Sequence, residues 1–244
     1  MSSSPCIFLP WDSDFWGFPV ARVDSLVLRG DTSEKITKWC KENVIRCLYF
    51  AADGSDSETL QQAYRSGFKF VDVRVELECN APLRAMLSSS DLEVRSVVEA
   101  DLEALQSIAR TAHYDTRFFK DLNFDRLRCE NLYLKWIERD FTMGRILGYF
   151  PNNQPKAGGY ITFSKETEDT ARIGLLAVDE SLRGCGGGGR LLDAAIASSA
   201  VMGPRKIRVA TQGTNLAALK LYEKAGFRVC DVKIWFHRWF SPLE

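Results

Sequence analysis

A chain of 244 residues, 45% of them apolar, is long enough to bury one large core or two smaller ones. Its 32 basic and 32 acidic side chains cancel, so no electrostatic case exists for nucleic acid or an anionic membrane as a partner. No apolar run reaches about 18 residues and no basic-then-apolar leader opens the chain, which argues against a membrane span or a secretory signal. The seven cysteines are odd in number and include no Cys-x-x-Cys pair. They point to a reducing, cytoplasmic setting, not to a disulfide framework. His113 and His237 lack metal-ligand spacing, so no metal is expected.

In chain order, residues 7–18 are dense in aromatics: Phe8, Trp11, Phe15, Trp16 and Phe18. Val20–Asp24 reads as a strand, and 32–45 as a helix capped by Asp31 or Thr32. Leu48–Ala52 reads as a strand and Asp56–Ser66 as a helix closed by Gly67. Phe68–Cys79 alternates as a long strand. The polar segment 80–91 is the expected linker, dividing an N-terminal α/β domain (1–86) from a larger one (92–244). The second domain opens with the strand Leu92–Arg95 and a helix from Glu99 or Asp101 to Thr111. The stretch Tyr114–Asp121 leads to a helix over Asp125–Arg139, where Leu132 with Trp136 and Tyr133 with Ile137 sit one turn apart. Ile146–Phe150 and Ala157–Ser164 form a hairpin about the turn Pro151–Pro155. Arg172–Val178 is the expected central strand, followed by a helix over Gly186–Met202, a strand over Lys206–Thr211, a helix from Asn215 and a closing strand over Phe227–Trp239.

The chemistry gathers where the central strand gives way to Arg183-Gly184-Cys185-Gly186-Gly187-Gly188-Gly189 and a helix. Amides at a helix start point outward at the positive end of the dipole, and glycines let an anion come close. Strand, glycine turn and helix together make a phosphate cradle. A nucleoside triphosphate loop would carry Lys-Ser or Lys-Thr next, and Arg190-Leu191 stands there instead. A dinucleotide fingerprint belongs early in a strand-helix series, and this turn comes late. Cys185 lies in the turn, near a helix N-terminus that can activate a thiol, and serves equally as a small residue.

The spacing Arg183-x-x-Gly186-x-Gly188 behind Leu176-x-Val178 resembles the coenzyme A pyrophosphate motif of the GNAT acetyltransferase superfamily. The run Asn215-x-x-Ala218-x-x-Leu221-Tyr222-x-x-x-Gly226-Phe227 resembles that superfamily's second motif at every position. Asn215 and Tyr222 are two turns apart, so they share a helix face. The resemblance implies an α/β (α+β) fold with a mixed, mostly antiparallel sheet flanked by helices, and acetyl-CoA as cofactor. It implies that Leu176, Ala177, Val178, Arg183, Gly184, Cys185, Gly186, Gly187, Gly188, Asn215, Ala218 and Tyr222 contact coenzyme A. Tyr222 is then the acid for the departing thiolate, and an amide near Leu176 or Ala177 holds the oxyanion. Gly187 departs from the pattern, because superfamily members carry a bulky aliphatic there, and the glycine run predicts a loose helix start.

The N-terminal domain echoes the second motif. Gly67-Phe68 through Val75 aligns without gaps on Gly226-Phe227 through Ile234, with Ala63 at the position of Tyr222 and no glycine turn before it. It reads as a half-GNAT unit without the chemistry, one that shapes the acceptor site. Leu9-Pro10-Trp11-Asp12-Ser13-Asp14-Phe15-Trp16-Gly17 and Thr116–Asp121 through Leu132–Ile137 resemble TDP-fucosamine acetyltransferases. That likeness implies a small-molecule amine as acceptor: the 4-amino group of a nucleotide-linked 4-amino-4,6-dideoxyhexose, in surface polysaccharide biosynthesis. Arg117, Phe118 and Trp16 are its candidate contacts. A peptide or polyamine acceptor, a non-catalytic acetyl-CoA-binding module and a homodimer stay open.

Overall fold

The computed structural model describes residues 4–80 and 93–241. The first half runs β1 (Cys6–Phe8), α1 (Pro10–Trp16), β2 (Val20–Val23), α2 (Gly30–Glu42), β3 (Cys47–Asp53), α3 (Ser57–Arg65) and β4 (Lys69–Asn80). The rest runs β5 (Val94–Ser96), α4 (Leu102–Ala112), α5 (Arg117–Lys120), α6 (Arg126–Thr142), β6 (Ile146–Tyr149), β7 (Gly159–Lys165), β8 (Thr170–Val178), α7 (Gly187–Val201), β9 (Lys206–Gln212), α8 (Leu216–Lys224) and β10 (Arg228–Trp239). Beyond Asn80 the expected linker lies outside the described residues, as does Leu92 of the expected strand.

Two compact units emerge. One comprises Met1–Arg74, Lys120–Leu122 and Val232–Glu244, and the other Val75–Phe119 and Asn123–Asp231. In the first, β1 lies antiparallel to β2, β2 parallel to β3, and β3 antiparallel to β10, with Asp53–Cys47 opposite Lys233–Trp239. Leu28, Ile36, Leu48, Phe50, Phe68 and Phe236 fill its core. Two local readings are corrected here. The aromatic run holds a helix, α1, because proline's fixed φ suits a first helical position. Helix α2 starts at Gly30, so Asp31 and Thr32 lie inside it and neither caps it. His237 is fully buried, with Nδ1 2.8 Å from Asp121 Oδ2, which also accepts from Trp239 Nε1 at 2.8 Å.

In the second unit β5, β6, β7 and β8 are antiparallel neighbours, and β8 lies parallel to β9. Helices α4 and α6 pack together, with α4 also on β7 and β8, while α7 packs on β6, β7 and β8. The sheet is mixed and mostly antiparallel with flanking helices, the α/β class expected.

The sequence echo has a structural counterpart. Strand β3, helix α3 and strand β4 have 7, 9 and 12 residues, as do β9, α8 and β10. Both helices are capped alike. Asp56 accepts from Thr59 N and Asn215 accepts from Ala218 N, each at 3.1 Å. Ala63 and Tyr222, at equivalent positions, are both buried. The correspondence extends back through α2 and α7, which are each followed by four residues before the next strand.

Candidate active site

The site begins where two parallel strands part. β8 and β9 pair from Thr170/Lys206 to Ile173/Val209 and no further, although both strands continue. On its other side β8 stays paired with β7 to Val178, across a bulge between Ile161 and Phe163. Thr162 opposes the extra residue there, its Oγ1 accepting from Leu175 N at 2.9 Å. A Cβ on Gly174 would lie 2.6 Å from that oxygen. Bulges re-aim a strand, and this one turns Leu175–Val178 away from β9. The separated strands leave a cleft with Leu176 and Val178 half-buried and Ala177 buried.

Helix α7 starts at that cleft. Gly184 (φ 82°) and Gly186 (φ 86°) both take the left-handed conformation, which no side chain there would favour. Helices α3, α6 and α8 are each capped by a side chain, from Asp56, Asp125 and Asn215, whereas α7 has none. Gly186 fills the cap position, and Arg190 N is the first amide to find an intrahelical acceptor, Gly186 O at 3.2 Å. The amides of Gly186–Gly189 therefore have no acceptor among the described residues. Arg183 is exposed beside them, 3.9 Å from Glu180, and Cys185 is an exposed free thiol. A Cβ on Gly188 would sit 3.4 Å from Leu221 and 3.9 Å from Leu176 and Val178, so this turn, β8 and α8 meet at one corner. Gly187 packs under Tyr149, where a Cβ would lie 2.6 Å from the ring. The aromatic ring occupies the space of the missing aliphatic.

Helix α8 brings Asn215 and Tyr222. Asn215 Oδ1 is engaged in capping through Ala218 N, which leaves its amide nitrogen for a ligand. Tyr222 is 4% exposed, and its ring lies 5.7 Å from that of Phe227. Its hydroxyl makes no hydrogen bond among the described residues. Burial pushes the phenol pKa well above its ordinary value, so the hydroxyl keeps its proton throughout the neutral range.

The loop after α4 adds groups that sequence reasoning missed. His113 Nε2 lies 2.7 Å from Tyr160 Oη, and the His113 ring stacks on Tyr133 at 4.7 Å. Tyr133 Oη donates to Thr116 Oγ1 at 2.9 Å. Tyr160 sits on β7 opposite Ala177. Burial lowers the His113 pKa to about 4, so the ring is neutral at pH 7, and burial raises that of Tyr160. No spacing could have joined His113 to Tyr160. Thr214 Oγ1, next to Asn215, donates to Asp115 Oδ2 at 3.0 Å, tying this loop to the start of α8.

Of the candidate acceptor contacts, Arg117 is half-buried with its guanidinium 4.4 Å over the Phe118 ring. Phe118 is 5% exposed and packs edge-on against Phe124. Trp16, in the first unit, is 2% exposed and packs edge-on against Phe15. Both aromatic side chains are buried. Among the described residues no cluster of metal-binding side chains gathers, and no helix is long and apolar enough to cross a membrane.

The geometry now meets known proteins. The family model described as "Acetyltransferase (GNAT) family" matches residues 102–227. A dTDP-fucosamine acetyltransferase of Escherichia coli O6:H1 is 27% identical over 243 residues, 94% of this chain and 96% of that protein. The spore coat polysaccharide biosynthesis protein SpsD of Bacillus subtilis is 23% identical over 139 residues, 57% of this chain and 48% of that one. The crystal structure of a GCN5-related N-acetyltransferase from Sphaerobacter thermophilus shares the fold, with TM-score 0.66 and 14% identity over 97% of this chain and 76% of that one. With a family match over more than half of its length and the parted strands in place, the chain belongs to the acetyltransferase (GNAT) family and is an acetyl-CoA-dependent N-acetyltransferase.

Proposed function

We propose that this enzyme acetylates the 4-amino group of a nucleotide-linked 4-amino-4,6-dideoxyhexose, with acetyl-CoA as donor. The observation that carries the acceptor class is the likeness to dTDP-fucosamine acetyltransferase along nearly all of both chains, first unit included. The name of SpsD supports the same broad class, an enzyme of polysaccharide building.

The uncapped α7 start fits the donor. Four free amides and the dipole at Gly186–Gly189 suit a pyrophosphate, with Arg183 alongside as an exposed cation. The corner of Leu176, Val178 and Leu221 beside Gly188 suits the pantetheine arm. Acetyl-CoA supplies the activated thioester. A backbone amide of β8 near Leu176 or Ala177, freed by the parting from β9, holds the charge that grows on the carbonyl oxygen. The Tyr222 hydroxyl, protonated and without another partner, gives its proton to the leaving sulfur. Arg117 is the candidate contact for the acceptor's diphosphate.

The experiment presents the full chain with acetyl-CoA and, in turn, a dTDP-linked 4-amino-4,6-dideoxyhexose, a peptide with a free N-terminus and spermidine, and identifies products by mass spectrometry. The sugar nucleotide should be acetylated with a kcat/KM at least about 100-fold above the others. Acetylation of the peptide or polyamine with the sugar nucleotide untouched would refute the reading.

A further inference from the structure

A polar groove of about 630 Å³ lies in the first unit between α2 and α3, with Arg238 of β10 as part of its lining. Its inner wall carries the hydroxyls of Ser33, Thr37 and Ser66, the first of them buried. Arg238 Nη1 donates to Thr37 Oγ1 at 2.8 Å, and its guanidinium lies 4.6 Å over the Phe240 ring. The arginine is half-buried and makes no ion pair among the described residues. Burial lowers its pKa from the ordinary arginine value, and no carboxylate compensates. Lys41 and Arg65 line the same groove, exposed and likewise without an ion pair among the described residues. Lys38 and Glu42 sit 3.9 Å apart, which leaves the exposed Glu34 as the one unpaired acid of the lining against three unpaired cations.

The internal correspondence shows which residues the second copy carries at these positions. At the equivalent positions of the second copy, Leu192 stands for Ser33, Ile196 for Thr37, Leu221 for Gln62, Ala225 for Ser66 and Cys79 for Arg238. Leu192 and Ile196 are buried there. Apolar residues or a cysteine at these positions in one copy are thus hydroxyls, an amide and an arginine in the other. The hydroxyls find partners in one another and in the carbonyls of Ser33 and Gln62, but no carboxylate answers the charge of the arginine.

We infer that the first unit carries a ligand site of its own, a groove between α2 and α3 that binds a phosphate-bearing small molecule. An arginine with no carboxylate partner, with two further cations beside it, matches a phosphate group, because guanidinium pairs with phosphate through parallel hydrogen bonds. The volume falls in the range of small-molecule pockets, about 300–1,000 Å³, and leaves room for a carbon body beside the phosphate. The site stands independently of the acetyl-transfer reading.

The test is amide chemical-shift mapping of the ¹⁵N-labelled full chain, titrated at constant ionic strength with inorganic phosphate and separately with glucose 6-phosphate. Saturable shifts are expected at the amides of Ser33–Lys38 and of Arg65 and Ser66. Arg238→Gln should raise the dissociation constant roughly tenfold or more. The double variant Lys41→Ala, Arg65→Ala changes only exposed side chains and should weaken binding as well, so a folding defect at Arg238 cannot hide the answer. Tighter binding of glucose 6-phosphate supports the site with an ester as its ligand, and saturation by inorganic phosphate alone supports it with the free ion. Shifts that never saturate, that survive both variants, or that are confined to Gly184–Gly189 would overturn the inference.

Discussion

Replacing Tyr222 by phenylalanine removes one oxygen and nothing else. The ring is 4% exposed and rests against Phe227, contacts that phenylalanine keeps. The hydroxyl has no hydrogen-bond partner among the described residues, so no bond is lost in the free protein, and the stability change should stay below about 1 kcal/mol. In the proposed mechanism this hydroxyl is the proton donor to the leaving sulfur, and burial keeps it protonated. General acid catalysis contributes about 100- to 10,000-fold, equivalent to roughly 3–5 kcal/mol of barrier. Tyr222→Phe should therefore lower kcat on that scale and leave acetyl-CoA affinity nearly unchanged. The sign of the pH effect follows from the raised pKa. The acid is competent below its folded pKa and is lost only as pH rises through it, so no alkaline limb from Tyr222 should appear below about pH 10. The exposed thiols of Cys185 and Cys230 would consume a thiol reagent, so product should be followed by chromatography in single turnovers. A folded variant that binds acetyl-CoA and transfers at close to the parent rate would show that Tyr222 only packs.

Three further outcomes are expected. Gly188→Asp should fold, since its Cβ meets Leu221 at an ordinary 3.4 Å, yet it should weaken acetyl-CoA by about tenfold or more in calorimetry by setting a carboxylate against the phosphates. Gly187→Leu should cost about 1–3 kcal/mol in a denaturant titration because Tyr149 occupies that space, and adding Tyr149→Ala should recover part of the loss. His113 is held neutral with a pKa near 4, so its contribution to stability is complete above its unfolded value near 6.5 and fades as pH falls toward 4. Over that window the parent should lose on the order of 2 kcal/mol more than His113→Gln, a figure discounted because part of the ring reaches solvent, and parallel acid titrations would contradict the assignment.

What could be read in the sequence was local. The glycine turn, the Asn215 cap and the paired Gly-Phe steps each rest on a few adjacent residues whose conformational needs are specific. Helix α1 was also legible, since Pro10 stands at its first turn, but the aromatic density masked it. The bulge at Gly174 was not legible. It exists because Thr162, on another strand, places its hydroxyl where a side chain would be. The His113–Tyr160 pair joins residues far apart in the chain, so only the fold brings it into view. The contact of Gly187 with Tyr149 was hidden for the same reason, because Tyr149 comes from β6. The burial of the candidate contacts Trp16 and Phe118, packed edge-on against Phe15 and Phe124, was not legible in the sequence.

The central claim is that the uncapped start of α7 holds the donor in the cleft between β8 and β9. The most direct measurement is a crystal structure of the full chain with acetyl-CoA. The account predicts one molecule per chain, its pyrophosphate oxygens at about 3 Å from the amides of Gly186–Gly189 and its sulfur within reach of the Tyr222 hydroxyl. A pyrophosphate bound elsewhere, or a sulfur remote from Tyr222, would contradict it.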